Sequence, residues 1–520
     1  MFLIFDTETT GLPKKWNAPI TDTGNWPRCV QIAWQLHDSL GNLIDQQDYL
    51  VVPDGFNIPF DAEQIHGIST ELATAKGISL SDVLHIFNEA LEQTTFVVGQ
   101  NVNFDLNIMG CEFYRTGIAT KLNDLPVLDT CTEKTALLCQ IPGGRGGKFK
   151  LPTLTELHEH LFQTPFSEAH NATADVEATT RCFLELLRIG NYDKKELSVD
   201  DLFFENFKKN NPQAVQPVGL KHSNLQEESK KLRKKSKEVD TKTDLRKSTA
   251  KITDVGFSHL HCHSQFSILQ STSSIAALVN AAVEDKMSAL ALTDTGNMMG
   301  AFYFVQEILK HNKKVEQHNA SLEDDAEKMK FLKPIIGCEF NVCEDHTDRS
   351  HKDNGYQVVF LAKNKNGYHN LAKMSSISHT KGFYYVPRID RKIIEEYGKD
   401  LIVLSGNLNG EIPNKILNVG EKQAEEALLW WKEIFGGDFY LELMRHDQQN
   451  EDHVNEVLLS FSRKYAIKVV ATNNTYYTQE EEAEAHDILL CVKDGEKVAT
   501  PKGRGRGYRF GLPNNEYYFK

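Results

Sequence analysis

Between Lys221 and Lys251 the chain places 11 Lys and Arg and 5 Asp and Glu in a run almost without large apolar residues. A segment of that composition buries too little surface to offset the entropy of ordering itself, and it reads as a flexible, charged linker. On either side the apolar residues return with regular spacing, so each flank must bury a core of its own. The 520 residues exceed one ordinary core, and the break supplies the natural division. The sequence therefore predicts a first domain over 1–190, a linker over 191–255 that takes in the weakly apolar patch VDDLFFENF, and a second domain over 256–520.

Both domains read as α/β. FLIFDTET is a buried strand, and in VQIAWQLH the apolar residues Val30, Ile32, Trp34 and Leu36 alternate at period two. After a turn at Ser39 to Asn42, LIDQQDYLVV returns as a third strand. SLSDVLHIFNEALEQ places Leu80, Val83, Leu84, Phe87, Ala90 and Leu91 on one helical face, and DVEATTRCFLELLRI is a second amphipathic helix. A meander followed by alternating strands and helices predicts a mixed sheet flanked by helices. Beyond Phe257, seven strand-like segments alternate with helical ones, the pattern of a parallel barrel related to the (β/α)₈ fold. The polar runs Lys314 to Lys330 and Glu344 to Gly355 read as exposed insertions.

Composition narrows the class. Hydrophobic content of 40% with 25% charged residues describes globular protein. No apolar run approaches the length of a membrane span, and Met1 leads straight into a strand, so neither a signal peptide nor a membrane segment is expected. Nine scattered cysteines, an odd number, fit reduced thiols in a cytoplasm; Cys338 and Cys343 read as buried thiols. A net charge of −14 argues against a DNA-coating protein but leaves room for a nuclease with acidic metal ligands.

Asp6 and Glu8 stand at i and i+2 of the first strand, hence on one face. Asp105 follows a buried strand at a helix start, and His170 precedes Asp175 at the start of the long amphipathic helix. Carboxylates gathered this way are costly without a cation and suit Mg²⁺ or Mn²⁺, while a nearby histidine can take a proton from water. DTETTGL, NxxFDL and HxAxxD, in this order, resemble the three motifs of the DEDDh 3′→5′ exonucleases. That group has the ribonuclease-H-like fold and includes the proofreading epsilon subunit of bacterial replicases. The resemblance implies that Asp6, Glu8, Asp105 and Asp175 hold two metal ions and that His170 deprotonates the attacking water. It also implies that Thr9 and Leu12 hold and wedge the 3′-terminal nucleotide, with His66 in IHGIS near the same pocket. Arg145, Lys148 and Lys150 in PGGRGGKFK are either a flexible connection or phosphate contacts.

His261 and His263 lie one residue apart in HLHCHSQFS, a common start to a metal site. With ALALTDTGNMMGAF, KPIIGCEFNV, GFYYVPRID, LIVLSGNLNGEI and VVATNNTYY, this stretch resembles the PHP (polymerase and histidinol phosphatase) domain, a distorted β/α barrel. That domain opens the alpha subunits of bacterial DNA polymerase III. His261, His263 and Glu339 fit the family's ligand pattern. Gln270, Thr295, Gln357, Asn407, Asn474 and Tyr476 stand where further ligands are usual. Neutral amides and a tyrosine supply neither the charge nor the basicity for a trinuclear site, so a metal-free scaffold is expected there.

The order of the parts resembles the N-terminal portion of polymerase III alpha subunits that carry their own exonuclease. It implies a proofreading 3′→5′ exonuclease acting on a DNA primer 3′ end in the cytoplasm. The expected partners are a polymerase core continuing C-terminally, a sliding clamp and other replisome subunits. Alternatives are a PHP-type metal-dependent phosphoesterase with an accessory exonuclease, and a DEDDh exonuclease acting on RNA.

Overall fold

The computed structural model describes residues 1–143, 148–164, 171–217, 224–240, 256–322, 328–503 and 508–519. The chain separates into two compact units, Met1–Lys247 and Ser248–Lys520. The first runs β1 (Phe2–Thr9), β2 (Cys29–His37), β3 (Leu43–Leu50), α1 (Phe60–His66), α2 (Thr70–Lys76), α3 (Leu80–Glu92), β4 (Phe96–Gly99) and α4 (Asn103–Thr116). It continues with β5 (Val127–Asp129), α5 (Glu133–Cys139), α6 (Leu154–Phe162), α7 (Ala172–Ile189), α8 (Lys194–Leu197), α9 (Asp201–Asn210) and α10 (Leu225–Asp240).

The sheet order is β3-β2-β1-β4-β5. The meander β1-β2-β3 is antiparallel, and β4 and β5 run parallel to β1. Period-two alternation splits β1 between two cores. Leu3 and Phe5 pack with Trp34, Leu84, Phe87, Met109 and Phe113, the layer of α3 and α4. Phe2 and Ile4 pack with Val98, Val176, Phe183 and Leu187, the layer of α7. Every residue of β2 is buried, because both faces of this strand lie under helices. Phe87, fully buried, contributes roughly 2–3 kcal/mol through its burial, and Phe87→Ala would cost about 3–5 kcal/mol.

The flexible linker expected over 191–255 is corrected for its described part. Phe207 of α9 is fully buried and shares a core with Phe183 and Leu187. On α10, Leu225, Ser229 and Leu232 fall at i, i+4 and i+7, one helical face. Leu225 and Leu232 pack against the core of Ile58, Ala62, Ile68 and Leu72. Ser229 Oγ donates to the Gly67 carbonyl (2.7 Å) and accepts from the Ser69 N–H (3.1 Å). Average composition hides such a helix, since one thin stripe suffices to dock it.

The second unit runs α11 (Ile275–Glu284), β6 (Ala289–Leu292), α12 (Ala301–Ala320), β7 (Lys333–Val342), β8 (Tyr356–Ala362), α13 (Lys365–Thr380), β9 (Arg388–Ile389) and α14 (Arg391–Tyr397). Then follow β10 (Leu401–Leu404), α15 (Glu411–Asn418), α16 (Glu421–Phe435), β11 (Phe439–Leu443), α17 (Gln449–Tyr465), β12 (Lys468–Ala471) and α18 (Ala483–Asp494). Its sheet has the order β12-β11-β10-β8-β7-β6, with β9 beside β7. Residues 259–263 sit in the remaining gap. Ala291 N–H and Thr293 N–H donate to His259 and Cys262 carbonyls (both 2.9 Å), while on the other side His263 N–H donates to the Thr475 carbonyl (3.0 Å) and Thr475 N–H to the His261 carbonyl (3.2 Å). The strands thereby curl into a distorted barrel.

That barrel is not wholly parallel, as the strand–helix alternation predicts. β8 runs antiparallel to β7 and to β10. The run Glu344 to Gly355 is the reason: it is no insertion but the return connection between β7 and β8, and it contains no crossover helix. Arg388, 1% exposed, organises this connection by donating to the carbonyls of His346, Asp348, Asp353 and Gly382. The first part of the run Lys314 to Lys330 continues α12 as far as Ala320 rather than forming a separate insertion. Among the described residues no helix is long and apolar enough to cross a membrane.

Candidate active site

Asp6 and Glu8 continue the face of β1 that carries Phe2 and Ile4, the face covered by α7. Asp175 lies in the first turn of α7, whose N-cap is Asn171. Strand alternation and the docking of this helix bring the carboxylate oxygens of Asp6, Glu8 and Asp175 within 4.8 Å of one another. Asp105 arrives from the opposite layer, in the first turn of α4, and is 4% exposed. Its Oδ1 accepts both the Thr7 N–H (3.0 Å) and the Thr7 hydroxyl (2.6 Å).

This gathering of negative charge is electrostatically expensive. Burial, reinforced by Asp105, Asp175 and Glu8, holds the Asp6 carboxyl well above the usual carboxylate range. Burial together with Asp175 and Asp105 does the same to Glu8. Asp105 is pushed up to about 7 by burial, even though the bonds from Thr7 act in the other direction. Carboxylates that repel one another in this way are the donor set that hard divalent ions stabilise, so the residues present fit Mg²⁺ or Mn²⁺.

Thr9 is buried at the end of β1, and its hydroxyl donates to the Gly11 carbonyl (2.7 Å), shaping the turn that leaves Leu12 72% exposed. His66 closes α1, buried, with Nδ1 accepting the Ile68 N–H (3.1 Å). Lys148 and Lys150 make ion pairs with Glu133 and Glu156 (2.7 and 2.8 Å). His170 and Arg145 lie outside the described residues.

His261 and His263 of the second unit are fully buried. His261 Nδ1 lies 2.8 Å from Glu442 Oε1, and its Nε2 lies 3.0 Å from Glu339 Oε2. Burial alone would lower its pKa, but Glu442 and Glu339 outweigh burial and push it up to about 10. His263 is pushed down to about 4 by burial; its Nε2 meets Asn474 Oδ1 (3.0 Å), and its ring stacks on Tyr476. Thr295 donates to Glu339 (3.0 Å), and Asn407 donates to Gln357 (3.1 Å). Thr295, Gln357, Asn407, Asn474 and Tyr476 therefore hydrogen-bond or stack with their neighbours, and His261, His263 and Glu339 lie close enough to share an ion.

Residues 3–183 match the family described as exonuclease, and residues 259–446 match the PHP domain. Over these two stretches the chain is similar to an exonuclease and to a PHP domain. It is 37% identical over 268 residues to a DNA polymerase III subunit alpha of Borreliella burgdorferi, covering 51% of this chain and 21% of that one. The corresponding protein of Thermus aquaticus is 36% identical over 271 residues, covering 51% and 20%. The chain thus spans about a fifth of the length of the curated relatives it matches. Among solved structures, Escherichia coli exonuclease I in complex with a dA16 oligonucleotide is similar at 23% identity, covering 39% of this chain and 42% of that one, with a TM-score of 0.29.

Three positioning residues escape the sequence reading. In the exonuclease domain, Asp129 accepts from the N–H groups of Asn101, Val102 and Cys131 (2.8, 3.1 and 2.7 Å), fixing the turn that leads to Asp105. Asp48 accepts from Gln31 (2.8 Å) and from the Thr173 hydroxyl (2.7 Å), which ties the start of α7 to the sheet. In the PHP domain, Glu442 is the second carboxylate on His261. An acid inside the apolar strand FYLEL was the available signal for it.

Proposed function

We propose that the chain is the proofreading exonuclease and scaffold portion of a bacterial replicative DNA polymerase, removing nucleotides from the 3′ end of a DNA primer. The convergence of the Asp6, Glu8 and Asp175 oxygens within 4.8 Å, with Asp105 buried beside them, carries this reading. Bound in that cradle, two Mg²⁺ or Mn²⁺ ions would supply positive charge against the negative charge that gathers on the attacking and leaving oxygens. Thr7 holds Asp105 in place through two hydrogen bonds. Thr9 and the exposed Leu12 receive and wedge the terminal nucleotide, with His66 nearby, and His170 takes the proton of the attacking water.

In this reading the PHP domain is a metal-free scaffold. His261 is held between Glu339 and Glu442 by hydrogen bonds, which supports a structural role for this cluster. A polymerase core, a sliding clamp and other replisome subunits are its partners, and its setting is the cytoplasm.

The test is Mg²⁺-dependent digestion of 3′-labelled single-stranded and mismatched DNA primers, with an RNA strand alongside. Wild type should shorten DNA from the 3′ end and Asp105→Ala should be nearly inert, because a charge that holds the metal pair is gone. Unchanged digestion by Asp105→Ala would refute the site. Preferential digestion of RNA would refute the proofreading role. Stoichiometric manganese or zinc in a variant lacking Asp6, Glu8 and Asp175 would refute the metal-free PHP domain.

A further inference from the structure

The segment between β1 and β2 is long for a hairpin connection, yet it is firmly built. Asn25, 6% exposed, donates through Nδ2 to the Lys15 carbonyl (3.0 Å) and accepts the Lys15 N–H (2.7 Å). Trp26 is buried and donates to the Pro19 carbonyl (3.1 Å). Arg115 of α4 reaches across to the carbonyls of Thr23 (2.7 Å) and Trp26 (2.6 Å). A loop tied down at so many points presents its remaining side chains in fixed positions.

What it presents is Trp16. The indole is 56% exposed, although a side chain of this apolar area is one that folding ordinarily buries. Its ring lies 5.8 Å from that of Phe104, the residue immediately before Asp105. Lys14 and Lys15 precede it, both exposed and in no ion pair among the described residues. In a chain of net charge −14, an exposed indole against a half-buried phenyl ring, flanked by lysines and beside an acidic centre, is a local exception. Aromatic faces with adjacent cations are how proteins hold unpaired nucleotides: bases stack on the rings, and the lysines meet the phosphates.

We propose that Trp16 and Phe104 form a stacking shelf for the unpaired nucleotide next to the 3′-terminal one, with Lys14 and Lys15 at its phosphate. The shelf lets the site sense whether more than one nucleotide at the primer end has come unpaired, since a paired penultimate base cannot stack there. This rests on the exonuclease reading above.

The full chain decides it with two substrates, a short oligothymidylate and the p-nitrophenyl ester of thymidine 5′-monophosphate, which has no second nucleotide. In Trp16→Ala the ratio of kcat/KM on the oligonucleotide to kcat/KM on the ester should fall about tenfold, the loss of one base-stacking contact. Trp16→Phe should restore most of it. Titration with oligothymidylate in Ca²⁺, which suppresses hydrolysis, should quench tryptophan emission in wild type more than in Trp16→Phe, and that difference isolates Trp16 from the other tryptophans. An unchanged ratio in Trp16→Ala, or equal quenching in the two proteins, overturns the shelf. Should wild type cleave neither substrate, the exonuclease reading fails, while the quenching still decides whether Trp16 meets a base.

Discussion

Asp105→Asn separates what the acidic centre does for chemistry from what it costs the fold. The amide oxygen of asparagine can still accept the Thr7 N–H and hydroxyl that now meet Asp105 Oδ1 at 3.0 and 2.6 Å, so the local geometry is kept while the charge is removed. Burial raises the Asp105 carboxyl from 3.8 to about 7. At 1.36 kcal/mol per pH unit this corresponds to about 4 kcal/mol between the protonated and ionised forms. The sign follows from proton binding. The native protein holds this proton more tightly than the unfolded chain, so the stabilisation is complete below about pH 4 and is lost as pH rises through about 7. Without metal, the wild-type transition should therefore fall in temperature between about pH 5 and about pH 8. Asp105→Asn should fall less, and at about pH 8 it should melt about 5–10 °C higher. Relief of Asp6, which Asp105 also pushes up, adds to the effect. Calorimetry of the full chain in EDTA, following the transition that Mg²⁺ shifts, makes the measurement, and Mg²⁺ should stabilise wild type more than the variant. The same variant should be nearly inactive. Parallel pH curves for the two proteins would show that Asp105 is not the strained carboxylate inferred here.

Three further outcomes test the remainder of the structure. His261→Ala leaves Glu339 and Glu442 buried without their shared cation, and it should destabilise the PHP domain by about 3–5 kcal/mol in urea unfolding. Because His261 is pushed up to about 10, its contribution is intact below about pH 6.5 and disappears as pH rises through about 10, so the wild-type domain should weaken in that alkaline window. Ser229→Ala leaves the buried Gly67 carbonyl and Ser69 N–H without their partner. It should weaken the docking of α10 by about 1–3 kcal/mol, read as faster tryptic cleavage at Lys230 and Lys231.

By itself the sequence determined whatever depends on spacing along the chain. Period-two alternation put Asp6 and Glu8 on one face of β1, and helical periodicity put Val83, Leu84, Phe87 and Leu91 on the buried face of α3. The motif order singled out Asp105 and Asp175, and the resemblance led to the expectation that Thr295, Gln357 and Asn474 leave the PHP ligand set incomplete. Composition misjudged residues 225–232, because a helix docks through one stripe while an average weighs every face. Alternation of strands and helices suggested a parallel barrel, yet the direction of β8 depends on what joins it to β7. Only the tertiary structure placed Asp105, from the layer opposite Asp175, against Thr7, and set Trp16 beside Phe104. It also paired His261 with Glu442, 181 residues away, and with Glu339 on its other nitrogen. Local periodicity fixes the face a side chain points to. Its partner is chosen by strand register and helix docking, which are settled by contacts between distant parts of the chain.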